Sequence, residues 1–231
     1  MKRFVHLGLI TIFILSALAV VFPITTNGQG AGLVSSVLNR MEKNRASLKT
    51  LRAGISMEKY NSQLRDSDHF NGVVLYMPGA GRDASVRIEW KSPQHEILAV
   101  SNGKYTLCRP RLNTCYVGNS TKQPKASGIL EMMYMSRQQL ESRFQPLQDV
   151  REETLWGDVS TIHLTLVPKG NASYKYAEIW IDSGGMPIQT KIVEKNDDAT
   201  TMRLTGLEKN VKISSDEFVV KPDANVKIVK G

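Results

Sequence analysis

The chain is poor in the residues that catalysis and metal binding draw on. It carries 2 cysteines and 4 histidines in 231 residues. His6 lies in an N-terminal apolar run, and His69, His95 and His163 are far apart in sequence. A general base needs a positioned partner, and no Gly-x-Ser-x-Gly elbow or His-Glu-x-x-His pair supplies one. His163, between Ile162 and Leu164, falls on the polar side of an expected strand and reads as a surface or hydrogen-bonded histidine. Two thiols with no nearby His make half a zinc site. Asp197-Asp198 has the composition of a hairpin turn, and calcium would need more ligands at regular spacing. Gly28-Gln-Gly-Ala-Gly32 follows an apolar run where a phosphate loop would follow a strand. The reading is of a protein that is not an enzyme and holds no metal or cofactor.

Charge of one sign is also never concentrated. Lys and Arg exceed Asp and Glu, 30 against 22, but the excess is spread along the chain. No interleaved basic and aromatic motif appears, so nucleic acid is not an expected partner. Diffuse positive charge serves solubility, or attraction to anionic lipid headgroups.

One long apolar run is present, at the N-terminus. Lys2 and Arg3 precede residues 4–22, almost wholly apolar, and residues 23–28 form a small polar exit. This is the outline of a secretory signal over 1–28, removed near Gly28. The run approaches the roughly 20 apolar residues that span a bilayer, so an uncleaved inner-membrane anchor stays open. No Cys follows it to accept a lipid. The remainder, 29–231, shows no linker or repeat and reads as a single domain. An exported chain meets an oxidising compartment, so Cys108 and Cys115, flanking Arg109-Pro-Arg-Leu-Asn-Thr114, are expected to be bonded.

Period-two alternation dominates that remainder. Val86, Ile88 and Trp90 share one side of a strand, with Arg87, Glu89 and Lys91 on the other. Asn102-Gly103 between two apolar runs is a strong hairpin signal. Further strands are expected over 53–64, 71–77, 151–155, 160–167, 174–181, 187–194 and 201–207. Helical period appears twice, over 33–51 and over 127–144, where Ser136 and Gln139 form a capping box and two short helices meet near Met135. The expected fold class is mainly β (α+β): a strongly curved antiparallel sheet, an incomplete barrel, with helices lying as a lid over its apolar face.

That face is the candidate site. Val86, Ile88, Trp90, Leu98, Val100, Leu164, Leu166, Ile179, Ile181 and Leu204 are its expected lining, and Leu130, Met132, Met133 and Leu140 the lid. Met packs against partners of varied shape. An ordinary filled core explains these residues too. Against that, a single sheet has no second sheet to bury its face, and the helices are few and short.

The order and spacing of these pieces resemble the LolA-type lipoprotein carriers and the wider superfamily of related periplasmic lipid-handling domains. The export signal, the first helix with Met41, Trp90-Lys-Ser-Pro93 and Asn102-Gly103 carry the resemblance. So do Tyr105 to Pro110, the helical insertion, Glu178-Ile-Trp-Ile-Asp182 with Met186-Pro-Ile188, and Asp216-Glu-Phe218 to Pro222. It covers nearly all of the chain beyond the signal. It implies an incomplete β-barrel closed by a helical lid and a cavity for the acyl chains of a lipoprotein or lipid. It also implies an inner-membrane release complex, an outer-membrane acceptor and a periplasmic location. The carriers hold their lid with an Arg in an early Arg-Pro pair; this chain reads Leu75-Tyr76-Met77-Pro78 there, with Arg82 and Arg87 the nearest substitutes. A sensor that binds a partner protein, as in anti-sigma-factor control, is the alternative within the same superfamily.

Overall fold

Alternation of apolar and polar side chains pairs strand after strand into one sheet. The computed structural model describes residues 27–79, 84–119, 135–222 and 224–230. A helix α1 (Asn27–Ser47) leads into β1 (Leu51–Asn61) and β2 (Asp66–Met77). Then follow β3 (Ser85–Ser92), β4 (Glu96–Ser101), β5 (Lys104–Arg109) and β6 (Thr114–Asn119). Helix α2 (Arg137–Arg143) precedes β7 (Gln148–Leu155), β8 (Val159–Leu166), β9 (Tyr174–Asp182), β10 (Pro187–Glu194) and β11 (Ala199–Lys209). A short β12 (Lys227–Lys230) closes the chain.

The spatial order is β12-β6-β5-β4-β3-β2-β1-β11-β10-β9-β8-β7. Two meanders, β1–β6 and β7–β11, are joined where β1 pairs with β11. The sheet is open and curved and does not close into a barrel. Every pairing is antiparallel except one: β12 runs parallel to β6. The expected all-antiparallel sheet is corrected there. β12 is too short to show a period, and its partner lies more than a hundred residues upstream. The segment before it crosses the side of the sheet opposite the helices. Phe218 is buried at 1% exposure, Arg87 Nη1 donates to the Glu217 carbonyl at 3.1 Å, and Arg52 pairs with Glu217 at 3.7 Å.

The first helix sits earlier than its periodicity suggested. It begins at Asn27 and is over by Ser47, and Leu51 opens β1. The chain is drawn into the sheet there: Lys49 N–H donates to Asn210 Oδ1 at 2.7 Å and Asn210 N–H to the Thr50 carbonyl at 2.8 Å. Residues 1–26 lie outside the described residues, as does the first half of the helical insertion. β2 begins at Asp66, five residues before the expected start, because its solvated Asp66-Ser-Asp68 stretch pairs with Tyr60 and its neighbours without any apolar signal.

Turn chemistry follows the sequence. Asn102 and Gly103 take φ of 50° and 72°, the left-handed pair that a two-residue hairpin requires. Cys108 and Cys115 face each other across the β5–β6 hairpin and are bonded. Both are buried. Iodoacetamide should label neither thiol in protein isolated without reductant. Replacing both with Ala should cost about 2–3 kcal/mol in urea unfolding, since the closed loop is short.

Helix α1 is fixed by the β9–β10 turn. Asp182 Oδ1 accepts from Met186 N–H at 2.7 Å, and the Gly185 N–H donates to the Asp182 carbonyl. Arg40 Nη1 donates to the Ser183 carbonyl at 3.1 Å, and Lys209 Nζ donates to Asn44 Oδ1 at 2.9 Å. Gly185 has φ of 85°, and a Cβ built there would stand 2.3 Å from the Arg40 backbone carbonyl. Gly185→Ala therefore suffers both the left-handed cost and a backbone clash, and should lose about 2–4 kcal/mol in urea unfolding. Gly103→Ala, at φ 72° with open space around it, should lose only about 1 kcal/mol.

Candidate functional site

Strand register decides which side chains share a face, because residues directly opposite one another point the same way. Val86, Ile88 and Trp90 of β3 stand opposite Val100, Leu98 and Glu96 of β4, and opposite Tyr76, Val74 and Gly72 of β2. Val74 and Tyr76 stand opposite Ala53 and Leu51, and Ile55 and Met57 opposite Leu204 and Met202. Met202 then meets Thr190, Thr190 meets Ile179, and Ile179 meets Leu164. Ile181 pairs with Ile162 and Ala177 with Leu166. All ten residues expected to line a cavity therefore share one face.

That face is packed. Ile88, Trp90, Leu98, Leu164, Leu166, Ile179, Ile181 and Leu204 are buried, and Val86 and Val100 are half-buried. They fall into two clusters. One centres on Leu51, Ile55, Met57, Val74, Ile88, Trp90, Leu98, Met202 and Leu204. The other joins Leu164, Leu166, Ile179 and Ile181 to Val37, Leu38 and Met41 of α1 and to Met135, Leu140 and Phe144 around α2.

A cleft of about 670 Å³ opens at the edge of the first cluster, between α1, α2 and the end of β2. Leu48, Tyr76, Pro78 and Ala84 give it an apolar wall, and Glu42, Arg45, Arg137 and Glu141 a charged mouth. Burial pushes the Tyr76 hydroxyl up to about 12, against a small opposite pull from Arg45. The hydrogen-bonded Arg45 guanidinium holds the Glu42 carboxyl below its usual range.

Helix α2 is the part of the expected lid that the described residues include. Ser136 and Gln139 form the capping box read from the sequence. Leu140 is buried in the second cluster, while Leu130, Met132 and Met133 lie outside the described residues. The two ends of α2 are held differently. At its C-terminal end Phe144 bridges Pro168, Gln145 N–H donates to the Val167 carbonyl at 2.8 Å, and Lys169 N–H donates to the Arg143 carbonyl at 2.8 Å. At its N-terminal end Arg137 Nη1 donates to Asn39 Oδ1 at 3.3 Å, and its backbone N–H approaches Glu42 Oε2 at 3.5 Å. The helix is tied to β-structure at its C-terminal end and latched on α1 at the other by surface hydrogen bonds, beside the buried Met135. Of the two arginines that could replace the missing lid tether, Arg87 is corrected. It lies on the opposite face of the sheet and bonds Glu217 and Glu89. Arg82 lies outside the described residues.

His163 is not the surface residue its strand position suggested. It is fully buried and stacks on Trp180 at 4.7 Å. Asp149, Arg151 and Glu153 of β7 surround it, with Glu178 of β9 and Lys191 of β10, which pairs with Glu178. It shares its face with Trp180 and Arg151 by register, away from the helices. The polar alternation was right about the side, but cross-strand packing buries that side too. Burial, then the Arg151 charge, lowers its pKa below 6.5, against the pull of Glu178 and Glu153. A base lowered in the fold binds fewer protons there than in the unfolded chain, so stability is lost as pH falls through the window beginning near 6.5. Urea midpoints at pH 7.5 and 5.5 should therefore fall further for the native protein than for His163→Phe. An equal fall in both would contradict this.

No group of three or more His, Cys, Asp or Glu suited to a metal occurs among the described residues. None of their helices is long and apolar enough to cross a membrane.

Comparison with known proteins agrees with this geometry. The family model described as outer membrane lipoprotein carrier protein LolA matches residues 62–221. No curated protein matches the chain. Among solved structures, an uncharacterized conserved protein from Thermus thermophilus superposes with a TM-score of 0.56 at 11% identity, over 86% of this chain and 99% of its own. MucB superposes with a TM-score of 0.54 at 13% identity, over 87% of this chain and 66% of its own. The Pseudomonas aeruginosa MucA/MucB complex gives 0.51 at 15% identity, over 84% of this chain and 62% of the other. The chain thus spans about two thirds of the length of MucB, and at these identities the likeness is one of fold. The family match covers more than half of the chain, and the chain belongs to the LolA family of outer membrane lipoprotein carrier proteins.

Proposed function

We propose that the protein is a periplasmic carrier that takes the acyl chains of a lipoprotein or lipid onto the helix-side face of its sheet and moves them between membranes. The observation that carries this is the continuity of that face. Ten apolar residues from both meanders share it, one sheet backs it, and its second half is covered, among the described residues, by α1 and by the seven-residue α2. Each CH₂ removed from water is worth roughly 0.8 kcal/mol, so a pair of acyl chains more than offsets the displacement of α2. Leu130, Met132 and Met133 complete the lid with Leu140, and the Met side chains repack around the cargo. Residues 1–28 direct export and are removed, leaving 29–231 as one carrier domain. An inner-membrane release complex loads it and an outer-membrane acceptor empties it.

A sensor is the second reading, favoured by the fold likeness to MucB, solved in complex with MucA. Here the same face would detect stray lipid while a partner protein binds elsewhere, and the N-terminal segment would stay as an inner-membrane anchor. Mass analysis of the N-terminus of the exported protein separates the two: loss of residues 1–28 supports the carrier, and intact Met1 in the membrane fraction supports the sensor.

A solvatochromic apolar dye should bind the purified protein and be displaced by fatty acids and by a diacylated lipopeptide. Arg137→Ala removes the latch and should speed dye uptake several-fold. Its thermal transition should barely move, because exposed pairs of this kind contribute about 0.2–1 kcal/mol. If no dye binds and no lipid copurifies, the face is only a core and the carrier reading fails.

A further inference from the structure

Among the described residues the helix-side face carries few polar atoms, and one of them is buried in its interior without a partner. Thr190 of β10 is fully buried, and its Oγ1 has no hydrogen-bond partner. Register places it between Ile179 and Met202, on the face proposed above for acyl chains. Those two neighbours belong to different clusters, Met202 to the first and Ile179 to the second. Ile192, two residues along the same strand, packs against both. The hydroxyl therefore stands on the seam where the apolar face divides in two. A cargo that separates the clusters would pass over it.

A buried hydroxyl without a partner is costly, and Val would fill the same volume without that cost. Its hydroxyl makes no hydrogen bond to any group among the described residues. The other buried side-chain atoms lacking a hydrogen bond among the described residues belong to Arg40, Arg109, Arg203 and His163. Those groups are all cationic or titratable. Arg109 Nε has Glu96 at 2.9 Å, and the two His163 nitrogens have carboxylates at 3.4 and 3.5 Å. Thr190 has no such neighbour, and it is the one hydroxyl among them.

Resting on the carrier reading, we infer that Thr190 Oγ1 is a cargo-binding group: it donates a hydrogen bond to an acyl ester carbonyl. An ester is the polar group that recurs at the head of paired acyl chains, and it is an acceptor only, which matches a lone donor in an apolar wall. The bond would fix how deep the chains sit, and it would distinguish acyl esters from alkyl chains of equal length. Both a phospholipid and the diacylglyceryl group of a lipoprotein present this carbonyl.

The test uses the full mature protein, native and Thr190→Val, with the displaced dye as readout. The probes are didodecanoyl phosphatidylcholine, its didodecyl ether counterpart, and a diacylglyceryl-cysteine peptide with its dialkyl ether counterpart. In the native protein each ester should bind about fivefold more tightly than its ether, the value of one net hydrogen bond. In Thr190→Val that preference should vanish, while ether binding is unchanged and the thermal midpoint rises. The pair showing the larger preference identifies the source of the carbonyl. Equal binding of ester and ether by the native protein overturns the inference and leaves the carrier reading standing. So does an ester preference that survives in Thr190→Val. Failure of every probe to displace the dye, or of the dye to bind, removes both.

Discussion

The described residues form one sheet with no second sheet packed on it, and the rest of the structure answers to that. A twelve-stranded sheet presents two faces, and alternation loads both. In a sandwich each inner face would bury the other at about 10 Å. Among the described residues, curvature, two α-helices and a C-terminal strap do it. The helices cover the face bearing Leu164, Leu166, Ile179 and Ile181. The strap, with Phe218 buried, crosses the opposite side over β3 and β4 and ends as a strand on the β6 edge. The other edge, β7, has no further strand paired to it among the described residues and carries Asp149, Arg151, Glu152 and Glu153. Charges on an edge strand discourage pairing with another chain.

The two helices are held by unlike forces, and that difference is what a carrier would need. Helix α1 is seated by backbone contact: only a residue without a Cβ lets the turn at Gly185 approach Arg40 so closely. Such a contact is rigid and unforgiving. Helix α2 is held at its far end by main-chain hydrogen bonds to the β8 exit, and at its near end by Arg137 on a half-exposed surface. Met135, Leu140 and Phe144 also bury α2 in the second cluster, so it is only its solvent-exposed hydrogen bonds to α1 that are of the kind that open at low free energy. The cleft bounded by Tyr76, Leu48 and Arg137 lies at that N-terminal end. On the proposed carrier reading, the wall formed by α1 would stay fixed to the sheet while the wall formed by α2 would swing.

Much of this was legible in the chain, and what was not had physical reasons. The ten residues expected to line a cavity could be placed on one face because each strand has a clean period of two, and a period of two assigns faces without knowledge of which strands pair. The Asn102-Gly103 hairpin and the Ser136 capping box were legible because their chemistry is local. Strand starts were not, where polar residues such as Asp66 and Ser67 pair across a solvated hairpin. The parallel β12 pairing depends on a contact between Ile228 and Cys115, and no local signal marks it. His163 was assigned to the correct side but the wrong environment, since burial there comes from Trp180 and the β7 carboxylates brought in by register. The latch was missed for a similar reason. Arg137 reads as an ordinary surface charge until α1 is placed beside it.

Polar residues in an apolar strand usually mark solvent, and Thr190 shows how that inference breaks. By alternation Gln189 and Lys191 point away from the helices and Thr190 toward them. A β-branched residue suits a strand whether or not its hydroxyl is wanted, so the sequence alone gives no reason to single it out. Its lack of a partner becomes visible only in three dimensions. A carrier has to bind long chains tightly yet in one register, and apolar burial alone is non-directional. Apolar area can hold an acyl chain at many depths. A single donor placed where two clusters meet selects one of them, at the expense of some stability in the absence of cargo. An unpaired buried group in a fold calls for a physical reason, and on the inference drawn for Thr190 the cargo supplies it.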